Sequence, residues 1–141
     1  MLGGLALGLA GCVGAGPQDG EIRLVYVQEA SGAAAHGLPA YDAVIHDTAV
    51  RVLTARGYVA APESAAADAW LRPAWVFRSP ATGADGAKVS LRLTLERKDG
   101  LVLRTFTIIE AVPAHFLSPE RVADEVRGRL GTINRGPTAA P

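Results

Sequence analysis

The chain has 141 residues, 49% of them hydrophobic and 20% charged, and its 14 Lys and Arg balance 14 Asp and Glu. That length holds one domain with a real apolar core. Balanced charge without a basic run argues against nucleic acid as the main partner, and a single cysteine excludes an internal disulfide.

An apolar run from Leu2 to Ala10 opens the chain. It is far shorter than the roughly 20 residues that span a bilayer. No Lys or Arg precedes it, whereas a complete signal peptide starts on a basic stretch. The run ends in Leu9-Ala10-Gly11-Cys12. These four residues resemble the lipobox of bacterial lipoproteins, in which small residues leave the chain uncluttered beside the scissile bond and a leucine anchors the peptidase. The resemblance implies a signal peptide over residues 1–11, cleavage before Cys12 and acylation of its sulfur. The domain is then tethered to a membrane through Cys12. The competing reading is a lone buried thiol. It sits poorly with the neighbours Gly11, Val13, Gly14, Ala15, Gly16 and Pro17, which have linker composition. Residues 12–20 are accordingly expected to be a lipidated cysteine and a flexible linker. Val13, not Asp, follows the cysteine. By resemblance to Gram-negative lipoproteins, this implies the outer membrane, facing the periplasm.

The domain proper is expected over residues 21–133. Glu21–Gln28 is rich in β-formers and reads as a first strand well inside a sheet. Pro39–Arg56 reads as a helix, with Tyr41, Val44, Ile45, Thr48, Ala49, Val52 and Leu53 forming one stripe and Gly57 closing it. Arg51 and Arg56 near its end favour the helix dipole. Tyr58-Val59 leaves the helix extended. Pro62–Ala67 is a linker turn, and Asp68–Arg78 a second strand. Leu71, Pro73, Trp75 and Phe77 share one face of that strand, and Trp70, Arg72, Ala74 and Val76 the other. Pro73 lacks a backbone donor, which suggests an edge strand or a bulge.

After an exposed loop at Ser79–Gly86, Ala87–Lys98 alternates strictly, with Val89, Leu91, Leu93 and Leu95 on the inner side. Asp99-Gly100 favours a two-residue type I′ turn, and Leu101–Ile109 returns. In that register Leu93 opposes Phe106 and Leu91 opposes Ile108. Ser118 caps a second helix to about Leu130, with Pro119 and Glu120 in its first turn, Leu117 and Val122 as a staple, and Val122, Val126 and Leu130 as its stripe. Residues 134–141 are expected to be a frayed tail. The order strand, helix, three strands, helix predicts an α+β two-layer sandwich, β-α-β-β-β-α. Its mainly antiparallel four-stranded sheet has both helices on one face and a semi-polar face left open.

This order, with Arg56-Gly57-Tyr58 closing the helix, Ala67-Asp68 before a strand and Lys98-Asp99-Gly100 in a hairpin turn, resembles a broad group of small envelope lipoproteins. The group includes uncharacterised periplasm-facing members and the lipopolysaccharide-transport assembly lipoprotein. The resemblance covers roughly residues 12–131. It implies the α+β fold and a partner-binding role, and carries no catalytic residues.

No enzymatic constellation stands out. His36, His46 and His115 have no metal-ligand spacing. No serine sits in a Gly-x-Ser-x-Gly elbow, and no glycine-rich phosphate loop is present. No cofactor is expected. The candidate partner-binding residues lie on the open face: Trp70, Arg72, Arg92, Thr94 and Thr105, with Trp75 assigned to the core. Exposed aromatics beside arginine are enriched at interfaces; the bland reading places Trp70 half buried under the 79–86 loop or the linker. The sequence therefore points to a non-enzymatic, lipid-anchored envelope protein that binds another envelope protein or lipid. The alternative is a small-molecule or lipid-binding module with a pocket between helices and sheet, its mouth at Ser31–Gly37.

Overall fold

The computed structural model describes residues 22–33, 37–78 and 87–137. Cys12 with its leader and linker, His36 and the Ser79–Gly86 loop lie outside the described residues. The elements in chain order are β1 (Leu24–Val27), α1 (Pro39–Ala55), β2 (Val59–Ala60), β3 (Ala69–Arg78), β4 (Lys88–Arg97), β5 (Val102–Pro113) and α2 (Pro119–Leu130). Short 3-10 turns lie at Ser64–Ala66 and Ala114–Phe116.

The strands form one sheet in the order β2-β1-β3-β4-β5. β1 runs parallel to both β2 and β3, whereas β3, β4 and β5 are antiparallel. The α+β class stands, but the expected four-stranded, mainly antiparallel sheet is corrected to a five-stranded mixed one. The strand not foreseen is β2, two residues at the edge. It closes a β1-α1-β2 crossover, the connection that a parallel pair requires.

Both helices press on the same sheet face. Val25, Val27, Leu71, Leu91, Leu93, Phe106 and Ile108 from the strands share one buried cluster with Ile45, Ala49 and Leu53 of α1 and Val122, Val126 and Leu130 of α2. The α1 stripe buries Tyr41, Ile45, Thr48, Ala49 and Leu53. The α2 stripe is the one its spacing predicts, and Ser118 Oγ accepts the Arg121 N–H at 3.1 Å as an N-cap. Arg56 does not serve the carbonyls of its own helix: its guanidinium donates to the Ile133 carbonyl beyond α2 at 2.7 and 3.1 Å.

The β4–β5 turn differs from expectation. Gly100 alone has positive φ (+96°), and its N–H donates to the Arg97 carbonyl while Arg97 N–H donates to Leu101. This is a three-residue loop ending in a left-handed glycine, not a type I′ pair. A register shift between Leu95 and Glu96 then restores the expected pairing, so Leu93 does oppose Phe106. Further along, Leu91 opposes Ile109 and not Ile108, because the ladder shifts between Leu91 and Arg92. A bulge puts two consecutive residues against one, and Ile108 and Ile109 are both buried.

A second irregularity follows at Ala111, which has φ +50° and donates its N–H to Ser90 Oγ at 2.9 Å. The left-handed region is costly for any residue with a Cβ. Ala111→Gly is expected to stabilise the fold by about 0.5–1 kcal/mol, read as a higher urea midpoint with an unchanged slope.

Pro73 sits in an interior strand, yet its missing donor costs no ladder bond. Leu71 accepts the Gln28 N–H. Pro73, two residues on, turns its nitrogen to the same edge past the last residue of β1. The edge character read from Pro73 is therefore local to the upper half of β3. The chain after α2 is also less free than expected. Tyr58 Oη donates to the Asn134 carbonyl at 2.8 Å, and Gly136 N–H to the Arg56 carbonyl at 2.7 Å. A Cβ at Gly136 would stand 2.6 Å from the Gly57 carbonyl oxygen, so the chain approaches that closely only as glycine.

Candidate functional site

The sheet face turned away from the helices is built by every second residue of each strand. Leu24 and Tyr26 on β1, Trp70 to Arg78 in even positions on β3, and Lys88 to Glu96 in even positions on β4 lie there. Three cross-strand rows follow from the register: Tyr26–Trp70–Glu96, Arg72–Thr94–Thr105 and Ala74–Arg92–Thr107.

The lower part of this face is covered. β2 and β3 flank β1 on opposite sides, so the chain between them must cross β1. The Trp70 Nε1–H donates to the Ser64 carbonyl at 3.0 Å, which puts the crossing on the side away from the helices. Trp70 is consequently half buried. Asp68 anchors the same crossing, its carboxylate accepting the N–H groups of Arg23 (3.0 Å) and Leu24 (2.9 Å). Arg72 lies over the Trp70 ring at 4.6 Å, holds Nε 2.6 Å from Glu96 Oε1 and reaches Gln28 Oε1 at 3.5 Å. Trp70 and Arg72 thus tie β1, β3 and β4 together.

Arg92 and Thr105 are exposed, and Thr94 lies half buried between Arg72 and Thr105. Arg92 opposes Ala74, not Trp70. Four residues along β4 separate it from Glu96, the partner of Trp70, a distance of about 13 Å. The five candidates therefore share one face but split into a packed group and an open group. The open group has neighbours that sequence reasoning passed over: Arg78 and Lys88 face each other across β3 and β4, both exposed. Like charges directly opposite destabilise a ladder. The alternation that placed Arg92 outward would have placed these two with it.

Trp75 points to the helix layer as assigned, but only half buried. It stacks between Tyr41 (6.4 Å) and Phe77 (5.5 Å), and its Nε1–H donates to Asp42 Oδ1 at 2.9 Å. Burial, with a smaller push from Glu120, raises the Tyr41 phenol above its usual range.

Among the described residues, core side chains of the helices and the sheet pack into one buried cluster. Two hollows lie outside it: one beside Glu29, Asp42, His46 and Asp47, another between α1 and α2 beside Thr48, Arg51, Glu120 and Arg127. His46 Nδ1 lies 3.4 Å from Asp47 Oδ1, and His115 packs on Phe116 at 4.3 Å. No three metal-ligating side chains gather among the described residues. No family model matches the chain, and neither curated proteins nor solved structures give a match.

Proposed function

We propose that the chain is a non-enzymatic lipoprotein of the bacterial envelope, held to the outer membrane through acylated Cys12 and facing the periplasm. In this reading the upper part of the open sheet face binds another envelope component, as an assembly or structural accessory. The observation that carries the binding half is the exposed group Arg78, Lys88, Arg92 and Thr105 on adjacent strands, past the end of β1 and clear of the crossing chain. Rigid strands hold these side chains in fixed register, and the Arg78–Lys88 pair with Arg92 about 13 Å along β4 gives three cations on one face, which favour a partner with complementary negative charge. Trp70 and Arg72 brace the covered lower part of the same face.

The test is crosslinking capture in the native envelope. Arg92→Glu combined with Lys88→Glu is expected to lower recovery of the crosslinked partner about 10-fold or more, with the melting temperature nearly unchanged, since surface substitutions usually cost under about 0.5 kcal/mol. Undiminished capture by a folded double variant rejects this face.

A further inference from the structure

The opposite end of the sheet, where β1 begins, has a different surface. The strand directions place Arg23, Val59 and the β4–β5 turn along one rim. Leu101 is 46% exposed and Val102 53%, two apolar side chains at the tip of a turn, with Val59 also exposed across the rim. Arg23 and Lys98 are exposed beside them. The carboxylates here are already engaged: Asp68 accepts two backbone N–H groups, and Asp99 is bonded by Arg97 and by Leu101 N–H. Those two contacts, that of Arg97 first, hold the Asp99 carboxyl at about 2. Asp68 keeps its charge on those neutral donors, as Arg56 and Arg104 keep theirs on the Ile133 and Thr132 carbonyls; among the described residues, Arg23, Arg56, Arg97, Lys98 and Arg104 outnumber Asp68 and Asp99 at this end. The rim is therefore apolar at its tip and positive around it.

We propose that this rim seats on the surface of an anionic phospholipid bilayer, with Leu101 and Val102 entering the headgroup region and Arg23 and Lys98 on lipid phosphates. The proposal rests on the acylated-Cys12 reading for the source of the membrane. From Cys12 to Ile22 is ten residues, a leash of at most about 36 Å. Ile22 leads directly into β1 at this rim. The far end of β3 stands about 30 Å further away. Fully extended, that leash reaches either end, but the r.m.s. span of a flexible Gly-rich chain of ten residues is about 17 Å, which brings the rim to the membrane first and turns Arg78, Lys88 and Arg92 towards the periplasm. Apolar side chains flanked by basic ones are what an interfacial contact uses.

The test places a fluorophore on Leu101→Cys or, separately, Val76→Cys in the full acylated chain on vesicles of phosphatidylglycerol and phosphatidylcholine. The label at 101 is expected to be quenched by spin-labelled lipid and to lose that quenching in high salt or on pure phosphatidylcholine, while the label at 76 stays unquenched. Equal response of the two labels, or none at 101, overturns the proposal. Adding Arg23→Gln and Lys98→Gln is expected to shift the 101 label towards solvent, with about 30-fold weaker seating; an unmoved label rejects the role of these cations and with it the proposed contact. Intact mass of the same preparation reports acylation separately. A chain without acyl groups that still shows the 101-against-76 difference keeps the rim and discards the anchor.

Discussion

Leu71→Ala is expected to cost about 2–5 kcal/mol, enough to leave much of the chain unfolded near physiological temperature. Leu71 is fully buried and sits where the two halves of the sheet join. It pairs with Val27 in the parallel ladder and with Leu95 in the antiparallel one, and its carbonyl accepts the Gln28 N–H. Truncation leaves a cavity that neighbours on three strands cannot close together. Urea unfolding measures it, with Val76→Ala on the exposed face of the same strand as the comparison. Val76 is 45% exposed, and its change is expected to stay within about 0.5 kcal/mol. Equal losses at the two positions would mean that the helix layer does not bury the face described for it.

The second large effect is expected at Cys12. In the proposed lipoprotein, Cys12→Ser removes the sulfur that is acylated and blocks cleavage of residues 1–11. Each buried CH₂ of an acyl chain contributes about 0.8 kcal/mol, so loss of the chains removes essentially all stable anchoring. The apolar run left in place is too short to span a bilayer, and among the described residues no helix is long and apolar enough to cross one. The variant is expected to leave the detergent phase in detergent partitioning and to keep its leader by intact mass, whereas the parent chain begins at an acylated Cys12. A parent chain extracted from membranes with a free thiol and residues 1–11 in place would end the lipoprotein reading. Folding is expected to be unaffected, since among the described residues the core cluster is built from Ile22 to Ile133.

The fold was legible wherever a segment is long enough to show a period. The alternation from Val89 to Leu95 and the stripes of α1 and α2 each repeat several times; their apolar residues are buried, except that Val44 and Val52 of the α1 stripe are only partly so. A cap such as Ser118 is legible because its bond is made three residues away. The turn at Lys98-Asp99-Gly100 was placed correctly but typed wrongly, because the same residues suit two loop lengths and the twist of the ladder selects between them.

Residue pattern by itself determined the class, the faces of β3 and β4 and the two helices. Tertiary structure alone decided which strands become neighbours. β2 has two residues and no period, and its partner β1 lies 35 positions away in the chain, Leu24 to Val59; only packing of α1 on the sheet brings them together. With β2 and β3 on opposite sides of β1, residues 61–68 must pass across it, and that crossing makes Trp70 and Arg72 supports while leaving Arg92 open. Local chemistry fixes what a residue prefers. Which edge it meets is set by chain connections closed over long loops, whose free energy no short window of sequence contains.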